Sequence, residues 1–233
     1  MSYQAEGLLF DLDGTLVDSV PDIANAANLM LEQLGLARAD DRDLRNWVGN
    51  GAPRLVKRAL TGSVDGEPDS VLFEQALPLF FDLYAEHVFV YSTLYPGVLE
   101  TLEHFEREGF VMGCVTNKPT RHTVSLLEVA GLSGFFTSTV AGDTLDTHKP
   151  DAGPLLHAAD QMEVPAESCI MIGDSVNDIL AGKAASMPVF CLTYGYNQGL
   201  DLGASHPDAL VDCFSDLSDL VVRAAGHTMS AHN

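Results

Sequence analysis

Positive charge is scarce in this chain. Twelve lysines and arginines stand against 33 aspartates and glutamates, a formal net charge of -21 over 233 residues. The acid excess is spread out rather than gathered in a block, and such a surface repels phosphate backbones and anionic lipid. Neither nucleic acid nor a membrane surface is therefore an expected partner. Cysteine is also sparse: Cys114, Cys169, Cys191 and Cys213 form no C-x-x-C pair and mostly lie in apolar runs, which reads as buried free thiols. No uninterrupted apolar segment approaches the ~20 residues of a spanning helix, and the N-terminal MSYQAEG has neither a basic region nor a long apolar stretch. A soluble, cytoplasmic protein is expected. Repeats and low-complexity tracts are absent, and no heptad seam sets an oligomeric state.

What is present is an ordinary apolar content, 46%, enough for one sizeable core and a second, smaller unit. Short apolar runs that end in polar residues recur: GLLFDLD (7–13), FVMGCVTN (110–117), STVAGD (138–143), CIMIGD (169–174) and VFCLTYG (189–195). Runs of this length suit strands buried on both faces. Helical spacing separates them, marked by Leu99, Leu102 and Phe105, and by Val124, Leu127 and Val129 after Pro119, with Asp151 and Ser175 at expected N-caps. The alternation predicts an α/β fold with a doubly wound parallel sheet, whose ligands bind beyond the carboxyl ends of the strands. Residues 17–90 break it. Three apolar stripes, Ile23 to Leu34, Leu55 to Leu60 and Leu77 to Tyr84, predict consecutive helices inserted after the first strand. The expected division is a core of 1–16 and 91–233 and a helical unit of 17–90, placed to act as a lid.

The strand ends carry the chemistry. The first ends in Asp11 and Asp13, the second in Thr116, Asn117 and Lys118, the fourth in Asp174 with Asp178 four residues on, and Lys149 precedes the fourth. In a parallel sheet these ends share one edge, so several acids, a hydroxyl and one of only four lysines should converge in a crevice. Crowded carboxylates repel, and a hard divalent cation with oxygen ligands relieves the repulsion; Mg²⁺ fits, while the lack of Cys or His clusters argues against zinc. With phosphoryl charge neutralised, one aspartate can attack phosphorus as a nucleophile and a second acid can protonate the leaving alcohol.

These motifs resemble those of the haloacid dehalogenase superfamily across nearly the whole chain: DLDGT at 11–15, Thr116, Lys149 and GDSVND at 173–178, in that order. The resemblance implies a Rossmann-like core with an inserted helical cap of the C1 type. It implies Asp11 as the nucleophile forming an aspartyl-phosphate and Asp13 as general acid and then base. Mg²⁺ would be held by Asp11, Asp174 and the Asp13 carbonyl. Thr116 and Asn117 would hold phosphoryl oxygens, Lys149 would offset charge, and Asp178 would orient Lys149 or a metal-bound water. The acid at Asp13 separates phosphate-ester hydrolases from dehalogenating relatives, which lack it.

Closer similarity is to the bacterial phosphoglycolate phosphatases, through DLDGTLVDSVPDI (11–23), WVGNGAPRLVKRAL (47–60), YPGV (95–98), TNKP (116–119) and LTYGYNQG (192–199). The implied substrate is a small phosphate ester, 2-phosphoglycolate. Gly49, Asn50 and Gly51 would form a cap loop facing the phosphate, and Arg54 is the candidate partner of the glycolate carboxylate, since a guanidinium suits bidentate recognition. Gly195, Tyr196, Asn197 and Gly199 match the family's closing loop and are assigned no chemistry. The tail AAGHTMSAHN (224–233) reads as frayed, with no ligand histidines. Alternatives are a phosphosugar or nucleotide phosphatase, a phosphomutase with the same motifs, and, in a different class, a phospho-accepting receiver domain, against which the helical insertion and the tandem aspartates speak.

Overall fold

The computed structural model describes residues 2–197 and 199–224. Six strands, β1 (Gly7–Phe10), β2 (Val111–Val115), β3 (Ser138–Val140), β4 (Cys169–Gly173), β5 (Val189–Leu192) and β6 (Ala209–Val211), form one sheet. Their order is β3-β2-β1-β4-β5-β6 and every pairing is parallel, the doubly wound arrangement that the alternating sequence predicts. β1, β4 and β5 are buried along their whole length, which explains why their sequences run apolar without alternation. Each fully buried Leu or Phe in such a sheet contributes about 1.5–3 kcal/mol.

The longer helices among the described residues are α1 (Val20–Gln33), α2 (Asp41–Trp47), α3 (Ala52–Thr61), α4 (Ser70–Glu86), α5 (Val98–Arg107), α6 (Thr120–Val129), α7 (Gly153–Gln161) and α8 (Val176–Ala184). α1 to α4 enclose an apolar cluster of their own that includes Met30, Leu44, Trp47, Val56 and Phe80. The three apolar stripes correspond to α1, α3 and α4. The sequence reading lacks α2, whose DRDLRNW buries only Leu44 and Trp47 and which starts on a polar cap, Asp40 accepting from the Arg42 amide.

Both crossings between sheet and helices lie side by side. Val17–Asp18 pairs antiparallel with Thr93–Leu94. The buried Asp22 side chain, at the start of α1, then accepts from the amides of Val90, Tyr91 and Ser92 and from the Ser92 hydroxyl, so one carboxylate fastens the outgoing chain to the returning one.

Three local expectations change. α6 exposes Val124 and Val129 and buries His122, Thr123, Leu126 and Leu127, because the helix turns polar His122 toward the crevice. α5 buries Val98, Leu102 and Phe105 and leaves Leu99 exposed. α7 begins after Ala152 rather than at Asp151, whereas Ser175 does cap α8. The predicted tail beyond residue 224 lies outside the described residues.

Candidate active site

Register brings the polar strand ends together. Phe10 stands opposite Cys114 on one side and Ile172 on the other, so Asp11, Thr116 and Asp174 leave three adjacent strands at nearly the same level. The turn after β1 depends on Gly14, whose φ of 93° suits glycine and whose missing Cβ makes room for the Asp174 carboxylate. A cavity of about 90 Å³ opens there, lined by Asp11, Asp13, Thr116, Lys149, Asp174 and Asp178 from the sheet edge and roofed by residues of α3 and α4. That is room for several waters, and hence for a small molecule.

Lys149 is the electrostatic centre. Its ammonium donates to Asp11 Oδ1 at 2.8 Å, Asp178 Oδ1 at 2.7 Å and the Val115 carbonyl at 2.6 Å, using all three of its N–H groups. Burial opposes its charge, but Asp11 and Asp178 outweigh burial and hold its pKa above the ordinary lysine value. Asp178 serves α8 at the same time: its Oδ2 accepts from the amides of Asp174 and Ser175, closing a capping box with Ser175. One carboxylate thus anchors the loop that carries Asp174 and orients the lysine that faces Asp11.

The remaining acids are crowded. Burial pushes the Asp11 pKa up to about 6 despite Lys149, with Asp178 and Asp13 adding to the rise. Asp174 is also raised well above the carboxylate range by burial and by Asp11 and Asp178, although Thr15 Oγ1 and the Tyr196 amide donate to it. Carboxylate oxygens of Asp11, Asp174 and Asp178 all lie within 4.8 Å of one another. An all-oxygen set of this kind, held close and short of compensating charge, suits a hard divalent cation.

Two predicted contributors stand differently. The Asn117 side chain donates to the Lys149 carbonyl at 2.9 Å and accepts from the Lys149 amide at 3.0 Å, so its amide group is committed to holding the lysine's backbone. Arg54 points outward from α3 and pairs with Asp65 at 3.1 Å and Glu67 at 2.9 Å; it does not line the cavity. Of the predicted loop, Gly49 and Gly51 line the cavity, with φ values of 115° and 81°, while Asn50 borders the outer cleft beside it. Asn177 of α8 donates to the Gly49 carbonyl at 3.1 Å, joining insertion and core at the cavity rim.

The sequence reading assigned no role to four further residues. Lys118 Nζ bonds both Asp13 oxygens, at 3.0 and 3.1 Å, and lies 4.4 Å from the centre of the Tyr84 ring. His122 stacks on Phe81 and meets Tyr84 edge-on. Tyr196, in the closing loop, lines the cavity and donates its hydroxyl to Asp18 at 2.6 Å while accepting from the Val20 amide, which ties the site to the crossing strands. Lys118 follows Thr116 at a strand end and was legible as part of that cluster. Tyr84 and His122 sit in apolar helical patterns that give no such signal.

Comparison with known proteins agrees with this architecture. The chain is 44% identical over 225 residues to the phosphoglycolate phosphatase of Nitrosococcus oceani, covering 97% of this chain and 100% of that protein. It is 42% identical to that of Nitrosospira multiformis, over 94% and 97% of the two chains. A crystal structure described as a predicted phosphoglycolate phosphatase from Haemophilus somnus superposes with a TM-score of 0.87 at 34% identity, covering 93% of this chain and 98% of that one. The sequence profile of the haloacid dehalogenase-like hydrolases matches residues 5–186. With the sheet order and the four strand-end motifs in place, the chain belongs to the haloacid dehalogenase-like hydrolase family.

Proposed function

We propose that this chain hydrolyses a small phosphate monoester, 2-phosphoglycolate, to glycolate and phosphate. The observation that carries the reading is the pairing of two differently placed aspartates at one cavity: Asp11 against Lys149, and Asp13 against Lys118. The relatives at 42–44% identity over almost their whole length support the substrate. Asp11, Asp174 and the Asp13 carbonyl are the groups proposed to hold Mg²⁺, with Asp178 beside them. When bound, the cation neutralises phosphoryl charge.

The chain's own residues then divide the work. The Asp11 carboxylate attacks phosphorus and the ester P–O bond breaks, while Asp13 in its acid form gives its proton to the departing alkoxide. Asp13, now a carboxylate, takes a proton from a water that attacks the aspartyl-phosphate, releasing phosphate and restoring Asp11. In this reading Thr116 Oγ1 donates to a phosphoryl oxygen, and the Lys149 charge offsets the anion that builds up beside Asp11. Residues 17–90 act as a cap over the core of 1–16 and 91–233, excluding water and bulky esters. Three buried free thiols among Cys114, Cys169, Cys191 and Cys213 suit a reducing cytoplasm.

The test is phosphate release from 2-phosphoglycolate, hexose phosphates and nucleotides, with Mg²⁺ and then with chelator. Mg²⁺-dependent release with phosphoglycolate preferred is the expected result. Preference for another ester would keep the chemistry and reject the substrate, and no release at all would return the mutase and receiver readings.

A further inference from the structure

An anionic leaving group needs a cation in the cavity. Arg54 is tied outside it to two acids, and Lys149 has spent its three donors on Asp11, Asp178 and the Val115 carbonyl. Among the described residues lining the cavity, Lys118 is the other permanently charged cation. Two of its N–H groups go to Asp13, and its Nζ lies over the Tyr84 ring.

Beside it, His122 Nδ1 has no hydrogen-bond partner among the described residues, and the Tyr84 hydroxyl, within reach of the Lys118 ammonium as an acceptor, has no acceptor for its own proton. Tyr84 is 2% and His122 3% exposed, and both line the cavity. A buried polar group left without its partner costs about 1–3 kcal/mol, so an unbonded imidazole nitrogen and an unmatched hydroxyl proton at one corner point to a ligand that completes them. Aromatic packing fixes both side chains, with His122 5.2 Å from the Phe81 and from the Tyr84 ring centres. Burial, with help from Lys118 and Arg121, lowers the His122 pKa to about 4, so at neutral pH the ring is an uncharged donor and acceptor. Elsewhere the roof is apolar, with Val48, Leu55, Phe80 and Phe81.

We propose that Lys118, the Tyr84 hydroxyl and His122 Nδ1 form the subsite that receives a carboxylate carried next to the ester carbon, making this corner rather than Arg54 the determinant of substrate choice. The inference rests on the phosphatase reading above. Its reach follows from the geometry: Asp13 handles the leaving oxygen across one hydrogen bond, and Lys118 Nζ lies 3.0 Å from Asp13 Oδ1. A carboxylate one carbon from that oxygen therefore meets the ammonium, the hydroxyl and the imidazole together. A neutral alkyl group of the same size leaves the hydroxyl proton and the imidazole unmatched and the ammonium with Asp13 as its anionic partner, and such an omission is where binding sites discriminate most strongly.

Lys118 also braces Asp13, so its loss should slow every ester, and only a ratio isolates the subsite. The experiment measures kcat and KM for 2-phosphoglycolate and for ethyl phosphate in wild type, Lys118→Met and Lys118→Arg. The wild-type preference for phosphoglycolate should fall roughly 10- to 100-fold in Lys118→Met, mainly through KM, and recover in part in Lys118→Arg. Calorimetry gives a second readout without turnover: in an Asp11→Asn background, Lys118→Met should remove the advantage of phosphoglycolate over inorganic phosphate in binding. Should Lys118→Met not fold, Tyr84→Phe enters the same comparison with a roughly 3- to 10-fold fall expected. Equal losses on both esters would overturn the subsite and leave the phosphatase standing. A wild type without preference for phosphoglycolate over ethyl phosphate would overturn the substrate reading too, and needs no variant to be seen.

Discussion

The carboxyl edge of the sheet and the underside of the helical insertion face one another across a single cavity, yet they are built in opposite ways. At the edge, charge is buried and the lysine is fully committed: Lys149 is 3% exposed and makes three hydrogen bonds, and Asp178 accepts from both lysine and backbone. Beneath the insertion the surface is apolar, and the charges of α3 are turned away, Arg54 and Lys57 pairing outward with Glu67. Chemistry that must work on any phosphate ester is thus fixed by a polar lattice, whereas choice among esters is left to packing and to a few groups at the cavity corner. Variants on the two sides should therefore fail differently.

The largest effect expected is at the nucleophile. Asp11→Asn preserves shape and removes the anion that attacks, so turnover should fall at least ~10³-fold with an unchanged far-ultraviolet circular dichroism spectrum. Phosphate release measures the first and the spectrum the second, and appreciable residual turnover would take Asp11 out of the reaction.

Lys149→Met should damage both stability and rate, since it strands Asp11 and Asp178 as buried acids without their cation. Breaking a buried pair by removing one member costs about 3–5 kcal/mol. Urea denaturation should show a loss in that range. A loss below about 1 kcal/mol would mean that the edge is far better hydrated than its burial indicates.

The crowding at the edge predicts how metal and protons compete. Asp11 has its pKa raised from 3.8 to about 6, and Asp174 is raised as well. Between those two values Asp11 in the folded, metal-free chain holds a proton that the unfolded chain has released, so its contribution to stability declines as pH rises through this window, and the raised Asp174 acts in the same direction. A divalent cation relieves the same repulsion and must displace those protons below pH 6. Mg²⁺ should therefore raise the melting temperature more at pH 7.5 than at pH 5.0. At a hundredfold excess over its dissociation constant the gain is about 2.7 kcal/mol, a shift of several degrees for a chain of this length. Scanning calorimetry at the two pH values checks it, and equal shifts would place the cation elsewhere.

The two sides also differed in how far they could be read beforehand. The edge was legible because its residues sit at fixed offsets from apolar strands, and parallel pairing carries Asp11, Thr116 and Asp174 to one level whatever lies between. Asn117 shows the limit of that logic. Its place at a strand end is legible, but the hydrogen bonds of its side chain run to Lys149, a neighbour created by the fold 32 residues away. The insertion was legible only as helices. Whether a helical residue faces the cavity depends on how α3, α4 and α6 rotate against each other, and apolar periodicity does not report that when the inward face carries a histidine or a tyrosine. Hence apolar spacing turns Val124 inward and gives His122 no weight, and the chemistry of Arg54 suggests a partner for carboxylate without fixing its direction.

Arg54→Ala gives the smallest expected effect and the sharpest contrast with Lys118. The Arg54 side chain is 29% exposed, and its partners Asp65 and Glu67 are 92% and 60% exposed, so both pairs are well screened. Such exposed pairs contribute little, and the midpoint of a urea titration should barely move. If the carboxylate of the substrate is met at Lys118, KM for 2-phosphoglycolate should change no more than roughly 3-fold, and by the same factor as KM for ethyl phosphate, because removing one outward cation weakens only the general attraction of the cleft for anions. A selective rise for phosphoglycolate of tenfold or more would require Arg54 to leave Asp65 and Glu67 and turn into the cavity when substrate binds. The insertion would then contribute charge to recognition as directly as the sheet edge does.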